Sequence, residues 1–244
     1  MQFEEAFRVK KPIIGMLHLR GKGNEQTFEI AKTEIQQMYD SGIDAILVEN
    51  YYGDLVDVVN ALRWLQENYS DRVYGVNVLG DFELSYKLAQ KYGGAFMQVD
   101  SIRGHLRTQQ DKEYAEMIER VRDGSVFVMG GVRFKYQPVH SGKPLDYDLK
   151  IGMQRCDAIV VTGEGTRMNT DMEKIREFRR IIGDFPLIVG AGMTIDTCEE
   201  QLAIADGAIV GSWFKERGFT RRPVSPERMT AFMQKVKELR ETLE

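Results

Sequence analysis

The chain has 244 residues, 43% of them hydrophobic and 29% charged, with a formal charge of −4 at neutral pH. That balance suits a globular core large enough to fold without staples, and it excludes disordered, collagenous and coiled-coil chains. Acidic and basic residues are interspersed and raise no broad positive field, so nucleic acid is not an expected partner.

Cys156 and Cys198 form no CxxC pair, which indicates neither a zinc knuckle nor a disulfide framework and fits a reducing, cytoplasmic setting. Met1 to Lys11 mixes charges with two phenylalanines and lacks the apolar run of a secretory signal. No stretch approaches the ~20 apolar residues of a membrane span, so none is expected.

Short apolar, β-rich runs recur along the chain, each followed by a polar or glycine-containing segment. The first is Pro12–Leu19, followed by a helical pattern over Thr27–Asp40 with Phe28, Ala31, Ile35 and Met38 on one stripe. Strand Ala45–Asn50 leads into helix Asp54–Asn68, and Tyr74–Leu79, Ala95–Ser101 and Val126–Phe134 supply the third, fourth and fifth strands. A weaker helical pattern over 145–155 precedes Ala158–Thr162. Helix Asp171–Ile182, strands Pro186–Val189 and Ala208–Val210, and helix Pro226–Leu243 with its Ser225-Pro226 start signal complete the series.

Three segments enter a strand alike through an Asp-containing turn: Gly42-Ile43-Asp44-Ala45-Ile46, Arg155-Cys156-Asp157-Ala158-Ile159 and Ala205-Asp206-Gly207-Ala208-Ile209. Strand–helix alternation without a linker predicts an α/β fold, a single (β/α)₈ TIM barrel over residues 1–244, a size close to the ~250 residues such barrels take. An open doubly wound sheet is the alternative.

In such a barrel the chemistry belongs at the C-terminal ends of the strands. Those ends carry His18, Glu49 with Asn50, Asn77, Asp100, Lys135, Thr162 with Gly163, Gly190 to Gly192, and Gly211 with Ser212. Any of them could instead cap a helix or satisfy a turn. Glycines ending strands seven and eight let backbone N–H groups approach a phosphate dianion, which makes Gly190, Gly192, Gly211 and Ser212 the expected phosphate subsite. Glu49 and Asp100 are the candidate acid and base, with His18 able to share that duty.

If Arg133 and Lys135 share an inward face, their repulsion would activate Lys135 as an amine nucleophile or base; otherwise Lys135 is an ordinary cation for a substrate anion or Asp100. His105 and His140 are expected to face solvent. The polar segments 136–145 and 164–170 are candidate lids or plain surface loops. A metal site is incomplete, with a lone strand-one histidine and no strand-eight carboxylate; a divalent ion bridged by Glu49, Asp100 and substrate oxygens stays open, and no cofactor is indicated. Trp213-Phe214 suggests either an interface in a homo-oligomer or packing under the last helix.

Lys11–Leu19, Gly42–Asn50, Gly75–Leu79, Val189–Thr194 and Asp206–Lys215 together resemble the BtpA family, with its SgcQ-type members, in order along nearly the whole chain. The resemblance implies the (β/α)₈ barrel, kinship with phosphate-binding barrels, and candidate site positions at His18, Glu49, Asn50, Asn77, Lys135, Thr162, Gly163, Gly190, Gly192, Gly211 and Ser212. It leaves the reaction open. This chain departs from the family pattern at Gly80-Asp81-Phe82, Lys135-Tyr136 and Gln98, where positive or histidine groups are usual, and that implies a different substrate. The leading expectation is an enzyme on a phosphorylated sugar or nucleoside-like compound, an isomerase, lyase or hydrolase; the alternative is a non-catalytic ligand-binding or assembly factor.

Overall fold

The computed structural model describes residues 1–242. Eight parallel strands close into a barrel in sequence order: β1 Ile13–Leu17, β2 Ala45–Glu49, β3 Val73–Asn77, β4 Phe96–Arg103, β5 Phe127–Val132, β6 Ala158–Val161, β7 Leu187–Val189 and β8 Gly207–Val210, with β8 returning to β1. Helices α2 Asn24–Asp40, α3 Leu55–Asn68, α4 Phe82–Lys91, α5 Thr108–Val121, α6 Leu145–Arg155, α7 Met172–Ile182, α8 Cys198–Leu202 and α9 Pro226–Thr242 follow the strands in turn. The expected TIM barrel is the observed fold, and the open sheet is excluded by the β1–β8 pairing. The expected last residue of the final helix, Leu243, lies outside the described residues. No helix among the described residues is long and apolar enough to cross a membrane.

The strands are apolar on both faces because helices cover one side and the barrel interior the other. Ile14, Met16, Ala45, Leu47, Val73, Phe96, Phe127, Met129, Ala158, Val160, Ile188 and Ile209 fill the interior. Their alternate neighbours, such as Ile46, Val128 and Leu187, pack outward under the helices. Gly75 exists to admit Phe96, because a Cβ there would run into the Phe96 ring and carbonyl.

The bottom of the barrel is closed by a helix that the sequence pattern does not announce. This helix, α1, spans Phe3–Phe7, and Ala6 and Phe7 are buried within the interior cluster. The Phe7 ring packs 5.2 Å from Phe96 and 5.6 Å from Phe127.

The Asp-containing repeat has a common structural task. Asp44 and Asp206 accept the N–H that opens the preceding strand, from Ile13 and Leu187 at 2.8 and 2.9 Å, and Asp157 accepts that of Val128, the second residue of β5, at 2.8 Å. An arginine from an outer helix or its end pairs with each aspartate: Arg240, Arg122 and Arg179. These donors at the strand starts would otherwise be buried without partners.

Strand β5 stops two residues short of the expected Phe134, because Arg133 takes a left-handed φ of 50° and breaks the alternation. Trp213-Phe214 packs within the chain: Phe214 meets Phe232 of α9 edge-on at 5.3 Å, and the Arg228 guanidinium lies 3.8 Å over the Trp213 ring.

Candidate functional site

The inward phase of each strand runs on into the mouth. Two residues beyond Met16, Leu47, Val160, Ile188 and Ile209 come His18, Glu49, Thr162, Gly190 and Gly211, and the same phase on β3 and β4 gives Asn77, Gln98 and Asp100. A cavity of about 230 Å³ opens there, lined by His18, Glu49, Gln98, Asp100, Lys135 and the turns Gly190–Met193 and Gly211–Ser212. It sits at the C-terminal face, where barrels of this architecture carry their sites.

Two carboxyls form its acidic wall. Asn77 Nδ2 donates to Glu49 Oε2 and to Asp100 Oδ1, each at 3.0 Å, so these two oxygens stand no more than about 6 Å apart. Gln98 Nε2 donates to the same Asp100 oxygen at 3.2 Å. Burial, and then the neighbouring Asp100 carboxyl, raise the Glu49 pKa from 4.5 to about 8, against the pull of Lys135 and the Asn77 hydrogen bond. Burial also raises Asp100, less strongly opposed by Asn77 and Lys135. Near neutral pH the pair therefore holds a proton on Glu49. His18 is held neutral: burial first, then the Lys215 and Lys135 cations, push its pKa well below the usual histidine range.

The opposite wall is backbone. Gly190 N–H is taken by Val161, and hydrogen bonding resumes at Thr194 and Phe214; between them the N–H groups of Gly192, Met193, Ser212 and Trp213 meet no acceptor among the described residues. The glycines themselves answer to internal packing. Gly192, at φ 72°, lies against the Met168 backbone, and a Cβ at Gly190 would strike Val160. At Gly211 a Cβ would press on the His18 ring at 3.1 Å. Their small size thus brings the β6–α7 loop against the turn and carries Arg167 into the cavity wall, its guanidinium 4.2 Å over the Phe219 ring.

Of the twelve residues the sequence nominates, eight line the cavity: His18, Glu49, Asp100, Lys135, Gly190, Gly192, Gly211 and Ser212. Four stand behind it. Asn77 is the carboxyl bridge, and Asn50 Oδ1 accepts from Leu79 N–H at 2.8 Å. Thr162 Oγ1 accepts the Lys135 N–H at 2.9 Å, while Gly163 passes against the Asn169 carbonyl.

The shared inward face for Arg133 and Lys135 does not form. The left-handed turn at Arg133 sends its guanidinium to Asp148 and the Lys143 carbonyl, so it cannot repel Lys135 across the mouth. His140 is exposed, but His105 is partly buried against the Tyr114 ring. The two long loops are tied together, with Tyr136 Oη accepting the Thr166 N–H at 2.7 Å over the cavity.

Gln98, Tyr51, Tyr136, Thr166 and Arg167 line the cavity without having been nominated as site residues. Strand phase is the signal that finds Gln98, since it lies two residues before Asp100 on one strand. Among the described residues no group of three or more His, Cys, Asp or Glu side chains is arranged to hold a metal ion.

A closed eight-stranded barrel with a polar cavity at its C-terminal mouth defines the class: a (β/α)₈ protein with a small-molecule-sized site. The BtpA family model matches residues 9–238, and the chain belongs to the BtpA family. It is 30% identical to an uncharacterized protein of Thermococcus kodakarensis, over 96% of this chain and 98% of that one. It is 25% identical to the photosystem I biogenesis protein BtpA of Synechocystis, over 98% and 92%.

Among solved structures, the fold is similar to native KDPGal, with a TM-score of 0.67, 15% identity and coverage of 99% and 100%. It is also similar to phosphoribosyl anthranilate isomerase from Thermus thermophilus, with a TM-score of 0.61, 14% identity and coverage of 93% and 99%. At these identities the likeness is one of fold.

Proposed function

We propose that this protein is an enzyme that moves protons on a phosphorylated, sugar- or nucleoside-like small molecule. The observation that carries the reading is the opposition of two walls: a carboxyl pair bridged by Asn77 on one side, and unpaired backbone N–H groups on the other. Free N–H groups at glycine turns suit a phosphate, and Arg167 beside them adds a cation. Glu49, protonated near neutral pH, is suited to be the acid, and the Asp100 carboxylate the base. Lys135 offsets the Asp100 charge. The phosphoribosyl substrate named for one structural neighbour agrees with this reading.

The same carboxyl pair serves isomerisation, elimination or hydrolysis, since each needs an acid and a base to move protons. A second reading, a ligand-binding assembly factor, draws on the name of the Synechocystis relative and on the exposed Tyr51, Leu79 and Tyr136 in mouth-side loops and Leu55 and Val56 at the start of α3.

Thermal unfolding with inorganic phosphate and a panel of phosphorylated sugars and nucleotides tests the site. A bound ligand raises the midpoint by mass action, and Ser212→Asp, which places a negative charge in the phosphate wall, is expected to abolish the shift. No shift with any phosphate in a folded protein defeats the phosphate reading. A shift that persists without turnover of any panel member favours the assembly-factor reading.

A further inference from the structure

The acidic wall also limits what the phosphate can be attached to, an inference that rests on the reading above. Asp100 Oδ1 is already taken by Asn77 and Gln98, and Glu49 Oε2 by Asn77. Glu49 Oε1 and Asp100 Oδ2 receive no donor from the protein among the described residues, so one free oxygen of each carboxyl remains for a ligand. Gln98 is 2% exposed and its Oε1 has no partner, which leaves donation to Asp100 as its one hydrogen bond. A buried amide that makes one of its four possible hydrogen bonds is placed for that single contact, and here the contact aims Asp100.

Charge decides the kind of group that fits. With a proton on Glu49, the wall holds one carboxylate, and Lys135 acts on both carboxyls from nearby. The wall is then close to neutral. A carboxylate or second phosphate on the ligand would meet carboxyl oxygens, and an ammonium would leave Lys135 without its counter-charge. Hydroxyls satisfy both free oxygens, donating to Asp100 Oδ2 and accepting from protonated Glu49.

We propose that this wall takes a pair of neighbouring uncharged hydroxyls, so that the substrate is a phosphorylated sugar or polyol whose phosphate is its only anionic group. Gln98 and Asn77 are positioning residues for that recognition.

Calorimetric titration of the intact protein tests it with ribose 5-phosphate, fructose 6-phosphate and sorbitol 6-phosphate, against n-butyl phosphate and phosphoglycolate, with inorganic phosphate as reference. At least one hydroxylated probe is expected to bind about tenfold or more tighter than butyl phosphate, and phosphoglycolate no tighter than butyl phosphate. Gln98→Leu is expected to erase the hydroxyl advantage and to leave inorganic phosphate binding unchanged, a split that mere loosening of the fold would not produce. Asp100→Asn serves as the second variant should Gln98→Leu fail to fold.

Equal binding of butyl and sugar phosphates, or preference for phosphoglycolate, overturns the hydroxyl proposal while the phosphate subsite stands. Failure of every probe, inorganic phosphate included, removes the phosphate reading and this inference with it.

Discussion

Glu49 couples the stability of the folded state to pH on the alkaline side. The folded chain keeps a proton up to about pH 8 that the unfolded chain releases near 4.5. Stability on this account is full below pH 4.5 and is lost as pH rises through 8. Glu49→Gln keeps the shape and removes the charge, so the variant should exceed the parent by roughly 2–5 kcal/mol near pH ~9, with the gap closing toward pH ~5. Urea titrations at the two pH values measure it, and a parent more stable at the alkaline end would refute it. On an identified substrate, Asp100→Asn should lower kcat by roughly 10²–10⁴-fold in steady-state assays. Glu49, Asp100 and His18 were legible as polar residues closing apolar runs. Gln98 is legible only through the strand phase that Asp100 sets, because Met97 and Val99 flank it in a strand buried on both faces, where hydropathy alone cannot distinguish inward from outward. The outward turn of Arg133 was hidden for a different reason: a left-handed φ at a residue other than glycine leaves no mark in composition.

Between elements, long-range ties do what local propensity cannot. The aspartates of the repeat were visible as turn residues, but their partners lie 31, 29 and 19 residues away, beyond the reach of a turn rule. Asp157→Ala strands the Val128 N–H and the Arg122 guanidinium, and should cost about 1–3 kcal/mol. Scanning calorimetry should register a fall of roughly 2–4 °C for each kcal/mol lost. A stronger tie joins the segment after β8 to α2: Lys215, fully buried, donates to Glu34 at 2.8 Å, and Arg20 and the Val224 N–H reach the other Glu34 oxygen. Burial lowers the Lys215 pKa, while Glu34 works to raise it. Lys215→Met alone leaves Glu34 without its ammonium partner and should cost about 3–5 kcal/mol, while adding Glu34→Gln should recover part of that. Denaturant midpoints of the two variants separate this outcome from simple loss of packing.

At the scale of the molecule, eight apolar runs separated by helical patterns without a composition break favoured a closed barrel over an open doubly wound sheet, and the β1–β8 pairing decides it. The helix at its base escaped notice: five residues bearing two phenylalanines make too short a pattern to carry a period. Its contribution is measurable. Phe7→Ala empties space between Phe96 and Phe127 and should cost about 3–5 kcal/mol in equilibrium unfolding, with little effect on ligand affinity at the far end. With that helix seated as a stopper at the base, the cavity opens at the C-terminal mouth. On the proposed enzymatic reading, whatever enters by the mouth leaves by the mouth, so a product still in place bars the next arrival, and with a single substrate its inhibition is expected to be competitive.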